Sequence, residues 1–337
     1  MTAFVPGLRL SELFFREAVR PVLSVRRPRL KYSAGLLGWG SDALGYDTPR
    51  SMDHMWGPRL LLFVGEEDYR AARQDLVEEL RWNLPRVFRG FSVHFGSPDA
   101  AGVRRAESKP DGPVEHMVEV FTPASFLKRY LGIESASRLK PVDWLSFREQ
   151  SLLEVTGGGI FHDGLGQMNA LRRRLRYYPR DVWLHRLATA WQELADEEAF
   201  PGRCHELGDE IGCRVLLARQ AERVIRLCFL LERRYAPYSK WLGTAFARLR
   251  VGRTIGPLLL SALSSRRWES REASLAKACE AIARKHNRLG ITPPQPAVVT
   301  RYFGRPYWVI GGDRFAQATA EEIRDPRIRN RTRVKRH

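Results

Sequence analysis

Apolar residues fall into short compact runs in the first part of the chain and into long stretches with helical spacing in the second. Ser11 to Val19 predicts a short amphipathic helix, with Ser11 as its N-cap and Pro21 past its end. Leu30 to Leu37 is mostly apolar and stops at Gly38, which predicts a strand. Arg59 to Val64, with Leu60, Leu61, Leu62 and Phe63, predicts a short buried strand. Asp68 to Trp82 places Ala72, Leu76 and Leu80 on one helical face, and Pro85 ends it. Residues 97–113 are rich in glycine, proline and charge and read as a loop. Val114 to Phe121 predicts another strand, and Ser125 to Leu131 a helix stopped by Gly132. Residues 30–131 therefore predict a small mixed sheet with helices.

Beyond residue 143 the pattern changes. Asp143 to Glu154 has helical spacing, Gly157-Gly158-Gly159 breaks it, and Ile160 to Gly164 reads as a turn with Asp163-Gly164 at its tip. Helices are predicted over Val182 to Glu198, Glu206 to Arg234, Ser239 to Leu249, Gly256 to Leu263, Ser270 to Asn287 and Asp313 to Ile323. The expected class is α+β. An α/β domain spans 1–142, a helical bundle 143–323 and a basic flexible tail 324–337.

Length and composition fit this division. The 337 residues are 44% hydrophobic, enough for sizeable cores. No apolar run approaches the roughly 18 residues of a membrane span. The N-terminus lacks a secretory pattern, and the four cysteines make neither a disulfide framework nor a zinc knuckle, so a cytoplasmic protein is expected.

The net charge of +18 raises nucleic acid as a partner. Its distribution weakens that reading. Residues 324–337 carry seven cations against one acid, and the first 31 residues seven against two. Arg172, Arg173, Arg174, Arg176 and Arg180 form a third cluster. The motifs of common DNA- and RNA-binding modules are absent, so solvated arginine-rich faces are the plainer explanation.

The stretch Leu36 to Arg59 carries the chemistry. An apolar run ends at Gly40-Ser41, and Asp53 precedes the next buried run. Glycine lets a backbone approach phosphate closely, Ser41 adds a hydroxyl donor, and an acid near the next strand can hold Mg²⁺ against the same phosphates. Lys240 falls in the first turn of a predicted helix, where the helix dipole disfavours a cation unless it faces an anion.

These residues resemble the nucleotidyltransferase superfamily. Gly40-Ser41-Asp42-Ala43-Leu44-Gly45, Ser51-Met52-Asp53-His54 and Trp56-Gly57-Pro58-Arg59 resemble more specifically the bacterial family called domain of unknown function 4037. Arg176 to Trp183, Tyr235 to Phe246, His286 to Ile291 and Arg305 to Ile310 extend the resemblance over residues 5–326. It implies a nucleotidyltransferase core, a helical domain, Mg²⁺ and an NTP, with ATP the first choice. Gly40, Ser41, Arg59, Tyr238 and Lys240 would then contact the nucleotide, and Asp53 and Glu119 would serve catalysis and the metal. Glu115 shares the face of Glu119 by the period of two.

One departure matters. The superfamily needs carboxylates at i and i+2, and here Met55 follows Asp53. A thioether is a poor Mg²⁺ ligand. Three readings stay open: transfer of a nucleoside monophosphate to a hydroxyl of an unknown small-molecule or protein acceptor; a degenerate, non-catalytic nucleotide-binding protein; and a nucleic-acid-binding protein.

Overall fold

The computed structural model describes residues 3–334. Its class is the expected α+β: a small mixed sheet with many helices. It divides into two units, one of residues 1–139 and 147–176, the other of 140–146 and 177–337.

The sheet of the first unit has strands β1 (Tyr32–Leu36), β2 (Arg59–Val64), β3 (Met117–Phe121) and β4 (Gly159–Asp163). Their order is β3-β2-β1-β4. β1 runs antiparallel to β2 and to β4, and β2 runs parallel to β3. Every residue of β2 is buried, which explains its unbroken apolar sequence. Leu60, Leu62 and Val64 join Ala34, Val118 and Val120 against Leu10, Phe14, Val19, Leu76 and Leu80. Phe63 faces the other way and packs edge-on to Phe126, 5.2 Å between ring centroids. Phe126 belongs to helix α4 (Pro123–Leu131), which Gly132 ends in the left-handed conformation.

The strand Ile160 to Asp163 was expected as a turn in the helical domain. It pairs instead with β1, so the boundary expected after residue 142 gives way to one in which 147–176 return to the first unit. The glycines serve this pairing. A Cβ on Gly158, whose φ is +63°, would collide with the Leu36 carbonyl.

The N-terminal helix also differs from expectation. It begins at Gly7 and runs past Pro21 to Arg26: α1 (Gly7–Phe14), a π turn over Phe15–Val19, and α2 (Arg20–Arg26). The π turn bonds the Arg20 N–H to the Phe15 carbonyl, five residues back. Widening the helix there lets the proline ring pass. Helix α3 (Glu66–Asn83) follows β2. Helices α5 (Glu149–Thr156) and α6 (Met168–Arg174) flank β4.

The second unit is helical: α7 (Arg180–Ala195), α8 (Phe200–Glu206), α9 (Glu210–Leu231), α10 (Ser239–Ala247), α11 (Gly252–Ser264), α12 (Trp268–Arg288), α13 (Gly312–Glu321) and α14 (Pro326–Arg329). The single helix expected over Glu206 to Arg234 is broken at Gly208 (φ +73°), and Asp209 caps α9. Trp191 stacks on Phe315 at 4.4 Å, and its indole N–H donates to Nδ1 of buried His286. The four cysteines are free thiols. No helix among the described residues is long and apolar enough to cross a membrane.

The tail expected to be flexible from residue 324 is anchored. The Arg324 and Asp325 amides donate to Asp181, Asp325 caps α14, and Ile328 is fully buried. Residues 335–337 lie outside the described region.

Glu198 holds the approach to α13 by accepting from the amides of Ile310, Gly311 and Gly312. Burial raises its carboxyl to about 7 and outweighs these bonds, which favour the anion. The fold therefore favours the protonated acid. Its contribution to stability is complete below the ordinary carboxylate range and is lost as pH rises through about 7. Glu198→Gln should flatten the fall in urea midpoint between pH 5 and pH 8. An unchanged slope would show that Glu198 is not its source.

Candidate functional site

The turn that follows β1 is built around one buried ion pair. Arg59, the first residue of β2, donates from Nε and Nη2 to the two carboxylate oxygens of Asp42 at 2.7 and 2.9 Å. Its Nη2 also reaches the Trp39 carbonyl at 2.6 Å, and the guanidinium lies 4.1 Å from the Trp39 ring centroid. The exposure of Arg59 is 4% and of Asp42 2%. Arg59, expected beside a phosphate, thus spends Nε and Nη2 on holding the turn.

Gly40 adopts φ +111°, and a Cβ there would run into Arg59 and Asp42. Gly38 is at +86° with the Tyr130 hydroxyl where its Cβ would be, and its amide donates to the Glu154 carbonyl at 2.9 Å. Residues 41–45 form turns, so no helix begins after Gly40. The half-buried Gly40 and Ser41 present their amides and the Ser41 hydroxyl without a hydrogen-bond partner among the described residues. Unpartnered N–H groups in a glycine turn are donors suited to an anion.

Glu119 lies on the same sheet face as Arg59. It pairs in register with Leu61, two residues along β2, and successive side chains alternate. Its carboxylate makes an ion pair with Arg129 of α4 at 3.0 Å. Glu115, offered beside it, precedes the strand and pairs with Arg81. Sequence reasoning missed Tyr130 and Glu154. Burial raises the Tyr130 hydroxyl, against a backbone hydrogen bond with Trp39, and its field includes Glu119 and Glu154. Burial also raises the Glu154 carboxyl, against a hydrogen bond from Gln150. The signal available was the position of Tyr130 one turn after Phe126 on the face of α4 that packs on the sheet.

Asp53 is elsewhere. It ends a 3-10 helix over Pro49–Asp53, six residues before β2 starts, and its exposed carboxylate contacts His54 Nδ1 at 2.8 Å. Met55 is one of the non-glycine residues with positive φ, at +50°. Its amide donates to the Arg104 carbonyl at 2.9 Å, and its Sδ accepts from the Arg104 amide at 3.2 Å. Among the described residues no group of three His, Cys, Asp or Glu side chains is placed to hold a metal ion. Asp53 beside His54 and Glu119 beside Arg129 do not fit Mg²⁺ as arranged.

Tyr238 and Lys240 belong to the second unit. Tyr238 precedes α10. Lys240 lies in the first turn, with Nζ 5.1 Å from the Trp241 ring centroid. Within this unit Tyr177, Tyr178 and Tyr235 form a ring cluster with centroids 5.1–5.2 Å apart. Arg172 and Arg174, counted among the basic residues, donate to backbone carbonyls in the first unit: Arg172 to Thr156, Gly157 and Gly158, and Arg174 to Ala136 and Ser137.

Residues 144–242 match the family described as domain of unknown function DUF4037. That segment contains the Tyr177, Tyr178 and Tyr235 cluster and ends at Leu242, while the glycine turn lies outside it. A crystal structure of a nucleotidyltransferase-like protein from Exiguobacterium sibiricum 255-15 is similar over 81% of this chain and 76% of that one, with 12% identity and a TM-score of 0.35. No curated protein matches the chain.

Removing one partner of a buried ion pair leaves the other charge uncompensated, at a cost of about 3–5 kcal/mol. Asp42→Asn and Arg59→Met should each lower stability by that order in urea unfolding, and the double variant should cost less than the sum. Additive losses would mean that the pair does not act as a unit.

Proposed function

We propose that the first unit is a nucleotidyltransferase-like domain that binds the triphosphate of an NTP, ATP first, at the Gly38–Asp42 turn without transferring the nucleotide. The observation that carries the binding reading is the pair of amides at Gly40 and Ser41, without partners among the described residues, on a turn locked by Arg59 and Asp42. Phosphate oxygens are the acceptors that such a turn suits. The sequence resemblance of Gly40 to Gly45 supports the same reading. The loss of transfer rests on Met55, which puts a thioether where the resemblance implies a carboxylate, and on the ion pairs already made by Asp53 and Glu119.

A second reading is favoured by Glu119, which shares a sheet face with Arg59. On it the protein moves a nucleoside monophosphate to a hydroxyl of a small-molecule or protein acceptor, and Asp53 and Glu119 supply the Mg²⁺ ligands. Its metal requirement is what the present arrangement of these residues does not meet.

Equilibrium dialysis with labelled ATP, with and without Mg²⁺, tests both. Saturable binding is expected, weakened at least tenfold in Ser41→Glu with an unchanged melting temperature. Pyrophosphate release should be absent from the native protein. Release abolished by Asp53→Ala would replace the first reading with the second. Absence of ATP binding would end both.

Met55→Asp is expected to fold as well as the native chain. Aspartate tolerates positive φ better than methionine, and its carboxylate can accept from the Arg104 amide in place of Sδ. A melting temperature at or above the native value checks this. A fall of more than a few degrees would show that the thioether is needed for packing.

A further inference from the structure

The cations Arg26, Arg27, Arg29 and Lys31 occupy six consecutive positions with no acid among them. The nucleotide reading does not use them. They lie where α2 ends and β1 begins, and the structure places a cleft of about 330 Å³ there. Pockets for small molecules begin near that size, roughly 300 Å³. Leu30, Val64, Ala72 and Leu76 give it aliphatic walls, and Arg26, Arg27 and Arg29 line it with positive charge. Asp68 is the one acid in the lining, and Glu79 and Asp75, 2.7 and 4.0 Å from Arg27, offset that arginine, so Arg26 and Arg29 carry the positive charge.

Two of these guanidinium groups are held in place. Arg27 forks onto Glu79 at 2.7 and 2.9 Å, and Arg26 donates to Asn83 Oδ1 at 2.9 Å. Arg29 is exposed, and no described residue partners its guanidinium. Arg26, held by a neutral partner, beside a free Arg29 can receive an anionic head, with Arg29 supplying bonds not already spent on protein. The walls carry no aromatic ring, so they suit an aliphatic body rather than a stacked base.

Val64 and Arg59 mark opposite ends of β2, so the cleft and the glycine turn are separated by the length of the strand, roughly 17 Å at 3.3 Å per residue. We infer that this cleft is a second ligand site that takes a small amphiphilic anion, a phosphate or carboxylate head on an aliphatic chain. It is independent of the nucleotide reading.

Calorimetry of the full chain with hexyl phosphate, inorganic phosphate and hexanol tests it. Hexyl phosphate should saturate one site and bind at least tenfold more tightly than either fragment alone. Arg29→Glu and Ala72→Trp, the first reversing a charge and the second filling the cleft from a half-buried position on α3, should each weaken it tenfold or more. Ser41→Glu should leave it unchanged. Equal affinity for inorganic phosphate or for hexanol would overturn the inference. So would vesicles of phosphatidic acid or an RNA duplex binding while free hexyl phosphate does not, since the charge would then serve an extended surface. Loss in Ser41→Glu would place hexyl phosphate in the glycine turn and overturn it equally.

Discussion

Burying a guanidinium and a carboxylate together strips both of water, and the loss is recovered only if nearly every donor and acceptor finds a partner. Arg59 and Asp42 go far toward that condition through two mutual bonds, a third from Arg59 to the Trp39 carbonyl and one from the Ala43 amide to Asp42. The geometry this demands sets much of the first unit. Arg59 must open β2, so the chain between β1 and β2 has to loop back to the end of the sheet where β1 stops. Gly40 must remain glycine because the pair occupies the space of its Cβ. With Asp42 and Trp39 fixed, the amides of Gly40 and Ser41 are left without a partner among the described residues. The candidate anion site is a by-product of satisfying a buried charge, which is why it can be rigid without a helix beginning behind it.

Elements whose identity depends on local spacing were readable in the chain. β2 occupies Arg59 to Val64 as expected, and Gly132 stops α4 where its conformational freedom is needed. Elements that depend on distant partners were not. Ile160 to Gly164 reads as a turn because Gly157-Gly158-Gly159 and Asp163-Gly164 mark turns elsewhere, yet Gly158 is required by the close approach of the Leu36 carbonyl. Asp163 is spent on Ser33 Oγ and on the amides of Met168 and Asn169, so it closes the strand onto α6. Pro21 read as a helix end because the π turn that accommodates it is set by packing of Phe14, Phe15 and Val19. In the site, the period of two put Glu119 on its face correctly, but Arg129 reaches it from the next helix and no spacing rule announces that pair.

The positive charge shows the same separation of local from distant information. Arginine counts suggest a polyanion, but a guanidinium has five donors and folded proteins use them internally. Arg172 ties three carbonyls of the glycine segment, and Arg271 forks onto Glu210 while donating to the Ser265 and Arg266 carbonyls. Such residues add to net charge yet offer few bonds to a partner. What distinguishes the segment from Arg26 to Lys31 is that its cations border a concave apolar wall and one of them is uncommitted.

Met55 brings these strands together. Losing a carboxylate from a metal site would be expected to disturb the neighbouring loop, since acids there order the backbone around the ion. Here the loop is ordered by other means. The Met55 amide and sulfur take both ends of the Arg104 peptide, and Arg104 in turn donates from its guanidinium to the Phe95 and Gly96 carbonyls. Backbone strain at Met55 is therefore compensated by a local network that needs no cation, while Arg59 and Asp42 keep the glycine turn in shape from within. What shapes the turn is a buried ion pair, which asks for no ion.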